Sequence, residues 1–198
     1  MGPANGGDVQ PLAPRVDGFT CIEPARAWWC REIGGKPADY RAPQSNGDID
    51  LIDSSAGIAT ALGVLHHIPN VTHVLSEIVR ILKPGGYLLL REPISWMGDW
   101  RQPRRGATRH ERGLPLPWLR ATMRDLGLDT VKEIPCLFGP LARTASRAGL
   151  VAPYRSSAFT RLDGLLCRMT AANSRYRRTR LWHKLAPGAV AAVYKKPV

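Results

Sequence analysis

The stretch Leu62–Pro93 reads LGVLHHIPNVTHVLSEIVRILKPGGYLLLREP, and the succession of patterns in it decides the fold. The apolar run Ala56–Val64 leads into it as a buried strand. Asn70 stands where an N-cap belongs. After it Val71, Val74, Leu75, Ile78, Ile81 and Leu82 recur at helical spacing, which predicts a helix over Val71–Leu82 with one apolar face. Lys83-Pro84-Gly85-Gly86 ends that helix, and Tyr87–Arg91 reads as the next buried strand. A strand-helix-strand unit of this length joins parallel neighbours, which a tight turn cannot link. The expected fold is therefore α/β, Rossmann-like, with a mostly parallel sheet flanked by helices.

Upstream, Val16–Glu23 reads as a short strand ending in an acid. Pro24 then opens a helix over Ala25–Ile33 that Gly34-Gly35 closes. Ala38–Ala42 is a further short strand, followed by a polar loop to Ser55. Downstream comes an arginine-, tryptophan- and proline-rich loop over Ser95–Pro117, then a helix over Trp118–Leu126 and a strand over Thr130–Ile134. Helices over Ser157–Thr170 and Ser174–Leu185 precede a last strand at Ala189–Tyr194. Residues 1–198 read as one domain, with no internal repeat.

Composition narrows the class. Apolar residues make up 44% of the chain, enough for a packed core rather than a disordered segment. No apolar run reaches the roughly 18–20 residues of a membrane span, and the four scattered cysteines form no CxxC pair. Reduced thiols in a cytoplasm are the expectation, with no metal site. The net charge of +12 admits three kinds of partner: an anionic small molecule, a membrane surface or nucleic acid.

The VLHH segment and the downstream R-x-L-KPGG pattern resemble the class I S-adenosylmethionine-dependent methyltransferases, in particular their small-molecule, methyltransferase type 11-like branch. The resemblance covers residues 2–93 closely and implies S-adenosylmethionine as cofactor. It makes 1–93 the cofactor-binding half and 94–198 the acceptor-binding and C-terminal half. Gly2-Pro3-Ala4-Asn5-Gly6-Gly7-Asp8 is similar to the glycine-rich first motif, with Gly2, Ala4 and Gly6 at its three glycine positions. Glycine there lets the backbone approach a ligand closely. Glu23 follows at the spacing where such folds hold ribose hydroxyls. Asp48 and Ile49 resemble the adenine-contacting pair, with Asp50 and Asp53 competing for the acid's role and an ordinary Asn-Gly turn as the alternative. Leu65 ends the strand that faces the cofactor. His66 or His67 could act as the base for an acceptor, having a pKa near neutrality. Glu92 points to the same end of the sheet.

Trp96, Arg101, Arg104, Arg105 and Arg109 form the candidate acceptor-recognition loop, since arginine forks bind phosphate or carboxylate and tryptophan offers a flat wall. A second basic segment, Arg175–Lys184, carries interleaved aromatics and leaves open contact with anionic lipid, with a phosphate backbone, or with solvent alone. A small-molecule acceptor, anionic or sugar-linked, is the leading expectation. The chain has no N/D-PP-Y/F tetrapeptide and no Pro-Cys pair in context, which argues against an RNA or DNA methyltransferase. The remaining rival is a truncated, non-catalytic domain. The family's central first strand has no counterpart here, because only Met1 precedes the glycine loop. The expectation is that the natural product extends upstream, or that this chain folds poorly alone. Oligomeric state is not legible.

Overall fold

The computed structural model describes residues 1–104, 106–108 and 110–198. Among these residues seven strands fall into two sheets. The smaller contains β1 (Phe19–Ile22), β2 (Glu32–Ile33) and β3 (Lys36–Arg41) in the order β1-β3-β2. The larger contains β4 (Ala56–Leu62), β5 (Leu82–Pro93), β6 (Asp129–Phe138) and β7 (Pro187–Lys195) in the order β4-β5-β7-β6. Four helices accompany them: α1 (Val71–Ile81), α2 (Leu116–Asp125), α3 (Gly139–Arg147) and α4 (Ser157–Met169).

The deciding stretch folds as its periodicity requires. β4 and β5 pair in parallel across α1. Val74, Leu75 and Ile78 of α1 are buried in one core with Ala61, Leu88 and Leu90, which α2 extends through Leu119 and Met123. Lys83–Gly86 lies within β5 rather than before it: Ala56 pairs with Leu82 and Ile58 with Tyr87, so four residues loop out of register. The Lys196 ammonium donates to the carbonyls of Val79 and Leu82, satisfying the end of α1.

Several local expectations are corrected. The segment predicted as a helix over Ala25–Ile33 is a 3-10 turn at Arg26–Trp28 followed by β2, and Gly34-Gly35 is the hairpin turn into β3. Both glycines have positive φ, which serves a tight turn as well as it serves a helix cap. Asn70 does not cap α1; its amide donates to the Asn46 carbonyl. Ser174–Leu185 is irregular apart from a 3-10 turn at Leu181–Lys184, and the helix α3 was not expected at all. Strand pairing is mixed. β1–β3 and β4–β5 are parallel, whereas β7 inserts antiparallel between β5 and β6, and β2 runs antiparallel to β3.

No strand lies between β1 and β4 among the described residues. A cavity of about 240 Å³ separates them, lined by Phe19, Cys21, Ile22, Ala56, Ile58 and Thr60 among others. Met1 and Gly2 bridge the two sheets at its end. The Met1 ammonium donates to the Thr60 carbonyl at 2.7 Å, and the Gly2 N–H donates to the Ile22 carbonyl at 2.8 Å. Both strands therefore deliver their C-terminal ends to the loop that follows.

Candidate cofactor and acceptor site

That loop is shaped by its own backbone. Gly2, Ala4 and Gly6 all have positive φ. A side chain at Gly2 would run into Val64, and one at Gly6 into Ile33. Ala4 adopts φ +47° without the freedom of glycine, so its neighbours must hold it there. They do so from both sides. The Ala4 N–H donates to Glu23 Oε2 at 3.1 Å, and the Tyr40 hydroxyl donates to the Ala4 carbonyl at 2.8 Å.

Glu23 is buried just past the end of β1, and its second oxygen accepts from the Ala25 N–H at 3.0 Å. An ionised carboxylate has about four acceptor sites, so two remain for the hydroxyls of a ligand. The space beside the loop, about 210 Å³, is walled by loop residues together with Thr60 and Leu62 of β4. Asp8 closes the loop onto β5 through an ion pair with Arg91 at 3.2 Å.

Val64 joins this cradle to the histidines. Its side chain abuts Gly2, and its N–H donates to Glu92 Oε1 at 2.9 Å. Glu92, on β5, is fully buried, and its carboxylate is saturated. Leu65 N–H reaches Oε1 at 2.8 Å, His66 N–H reaches Oε2 at 3.3 Å, and His66 Nδ1 lies 2.7 Å from Oε2. An ionised carboxylate only accepts, so in the neutral imidazole this pairing places the proton on Nδ1 of His66 and the lone pair on Nε2. His67 stacks on His66 with ring centroids 3.9 Å apart, and its Nδ1 lies 2.7 Å from Thr108 Oγ1, which in turn bonds Glu111. Burial, with the adjacent His66 ring adding to it, lowers the His67 pKa below its usual value.

The sequence-derived residues thus separate into groups. Gly2, Ala4, Gly6 and Glu23 come together in the cradle, and His66, His67 and Glu92 at the end of β5. Leu65 is wholly buried in the core and offers no side-chain surface to a ligand. Asp48 and Ile49 are tied to α1: Asp48 pairs with His73 at 2.7 Å and accepts from Asn46, while Ile49 is buried with its N–H on Glu77.

In the arginine loop, Arg101 is paired with Asp99 at 2.9 Å, and Arg104 donates to the carbonyls of Met97 and Glu111. Trp96 lies under the Arg177 guanidinium. Arg105 and Arg109 lie outside the described residues. Arg101 and Arg104 thus bind the loop itself, whereas Arg112 donates to the carbonyls of Ile68 and Pro69. A larger cavity, about 610 Å³, lies instead between α2, β6 and residues 171–176, with Ile94, Leu116, Pro187, Arg175 and Tyr176 on its walls.

Sequence reasoning missed Tyr40, Asp8 and Arg91, because nothing local marks a residue whose role is to brace a distant loop. It also missed that Trp29 Nε1 donates to the Glu23 carbonyl oxygen at 3.0 Å. Among the described residues no group of three or more His, Cys, Asp or Glu is placed to hold a metal ion.

Strands ending at a glycine loop, an acid beyond the next strand and the order β4-β5-β7-β6 define a Rossmann-like methyltransferase fold. Residues 1–90 match the model of a methyltransferase domain. Comparison with curated proteins found no match. Among solved structures, the chain is similar to the [4+2]-cyclase SpnF, with 18% identity, TM-score 0.61, and coverage of 100% of this chain and 73% of that one. It is similar also to an S-adenosylmethionine-dependent methyltransferase from Mesorhizobium loti, with 12% identity, TM-score 0.60, and coverage of 98% and 88%. A third is a SAM-dependent methyltransferase from Methanosarcina mazei, with 13% identity, TM-score 0.57, and coverage of 100% and 90%. At such identities the likeness is one of fold.

Proposed function

We propose that the protein transfers a methyl group from S-adenosylmethionine to a small-molecule acceptor, with residues 1–93 holding the cofactor and 94–198 shaping the acceptor side of one domain. The observation that carries this reading is the double grip on Ala4, by Glu23 at its N–H and Tyr40 at its carbonyl, which holds a strained glycine-type loop in place. Gly2, Ala4 and Gly6 would lie against the cofactor, and the free lone pairs of Glu23 would take its ribose hydroxyls. When bound, the cofactor supplies an electrophilic methyl on a sulfonium. Displacement at that carbon asks the chain mainly for positioning and for removal of the acceptor's proton.

His66 is the better candidate for proton removal, because Glu92 fixes its ring and its tautomer; Glu92 itself acts as a positioning residue. The 610 Å³ cavity has the size of a small-molecule site. Its prolines and aliphatic side chains, with Arg175 at the wall, suit an apolar acceptor bearing an anionic group. That support moves acceptor recognition away from Arg101 and Arg104.

Calorimetric titration with S-adenosylmethionine tests the cofactor half of the proposal. Saturable binding that weakens about ten-fold or more in Glu23→Gln is expected. No binding to the folded parent chain would sink the proposal and favour the non-catalytic rival, for which the cavity between β1 and β4 speaks. Since a similarly folded structure is a [4+2]-cyclase, binding alone does not establish methyl transfer. Release of S-adenosylhomocysteine in the presence of an acceptor panel is the second readout.

A further inference from the structure

Apart from residues 171–176, which wall the acceptor cavity, the segment between β6 and β7 carries a surface that the methyl-transfer reading does not use. From Gly139 to Ala186 it holds ten arginines and lysines and a single acid, Asp163. That acid is turned inward: it accepts from the Leu137 and Phe138 N–H groups and from the Tyr154 hydroxyl, and it is buried. The outer face of the segment therefore carries positive charge with no carboxylate of its own.

The helix α4 is amphipathic in the inverted sense. It buries Asp163 and Cys167 and turns Leu162, Leu165 and Met169 outward, three residues at one-face spacing. Leu165 is 55% exposed and Met169 73%. The turn after α4 is clipped to Leu185 by the Asn173 side-chain amide, at 3.1 Å. Leu181, 78% exposed, and Trp182, 51% exposed, stand just before Leu185, with the Arg180 guanidinium over the indole at 5.0 Å. Aliphatic residues and one indole are thus set among cations.

We propose that this face docks on an anionic lipid bilayer, with Leu165, Met169, Leu181 and Trp182 entering the headgroup–acyl boundary and the surrounding arginines resting on lipid phosphates. Charge selects the partner. A second copy of the chain would bring two cationic faces together, which like-charge repulsion opposes. RNA would satisfy the arginines but would leave leucine and methionine side chains with no base to stack on. An anionic interface satisfies both, because aliphatic groups partition into acyl chains while cations meet the negative surface potential.

The test is sedimentation of the 198-residue chain with vesicles of phosphatidylcholine alone and of phosphatidylcholine mixed with phosphatidylglycerol. Binding to the mixed vesicles at least about ten-fold tighter than to the neutral ones is expected, declining as salt is raised. The double variant Leu165→Glu/Met169→Glu should lose about a hundred-fold, since two exposed apolar anchors become charged. Should that variant lose its parent-like circular dichroism, Leu181→Glu, at the exposed start of a short 3-10 turn, makes the same test alone. Equal binding to both vesicle types would overturn the proposal. So would glutamate variants that bind like the parent, or preferential uptake of a homopolymeric RNA over the anionic vesicles.

Discussion

Replacing Glu92 by glutamine keeps shape and size while removing the charge, and the structure states what each oxygen would lose. Oε1 accepts from Val64 and Leu65, and the glutamine carbonyl can go on accepting from both. Oε2 accepts from the His66 N–H and from His66 Nδ1, which an amide NH2 cannot do. One buried N–H is orphaned, at a cost of about 1–3 kcal/mol, and the two retained bonds fall from charge-assisted to neutral at about 1 kcal/mol each. Relief of burying a carboxylate offsets part of this. A net destabilisation of about 3 kcal/mol is expected, measured by urea unfolding, with about 5 kcal/mol for Glu92→Ala, which orphans three N–H groups. The ring also responds: with NH2 opposite it, Nδ1 must accept, so the proton moves to Nε2 and the base is lost. Nitrogen NMR of His66 should show that tautomer exchange, and methyl transfer should fall with it. A folded Glu92→Gln protein within about 0.5 kcal/mol of the parent, with the tautomer unchanged, would refute the anchoring role.

Three further outcomes are expected. Ala4→Gly relieves the left-handed strain at φ +47° and should raise stability by up to about 1 kcal/mol without weakening cofactor binding, as read by thermal melts and titration. The Arg80 hydrogen bonds hold the Glu77 carboxyl at about 2, far below its ordinary value. Its folded pKa is depressed, so its contribution is complete above about 4.5 and lost as pH falls through about 2. Glu77→Gln should flatten the acid limb of the unfolding curve, and an unchanged limb would count against the pairing. His67, lowered mainly by burial, should titrate below 6.5 by proton NMR. Because the folded state favours its neutral form, stability should decline as pH falls below that value, and His67→Asn should remove this slope.

What was legible in the sequence followed from periodicity and punctuation. The face of α1 and the apolar strands β4 and β5 are local patterns, and each stands where it was expected; the glycine loop and Glu23, also read from local spacing, meet through the Ala4 N–H. What failed depended on a partner elsewhere in the chain. Glu32-Ile33 becomes a strand only because Lys36 and Pro37 fold back on it, and Asn70 forgoes capping because Asn46 offers a carbonyl. The arginine loop drew attention by composition, yet Arg101 and Arg104 are bonded to the loop itself.

The sequence by itself therefore determined the fold class and the position of the glycine loop, because a 3.6-residue or two-residue repeat and a glycine at positive φ act within a few residues. Tertiary structure alone decided that Glu92 orients His66, that Tyr40 and Glu23 clasp Ala4, and that α4 turns its leucines outward. Those relations join residues tens of positions apart, and no spacing rule encodes which side chain will meet which backbone once the strands have paired.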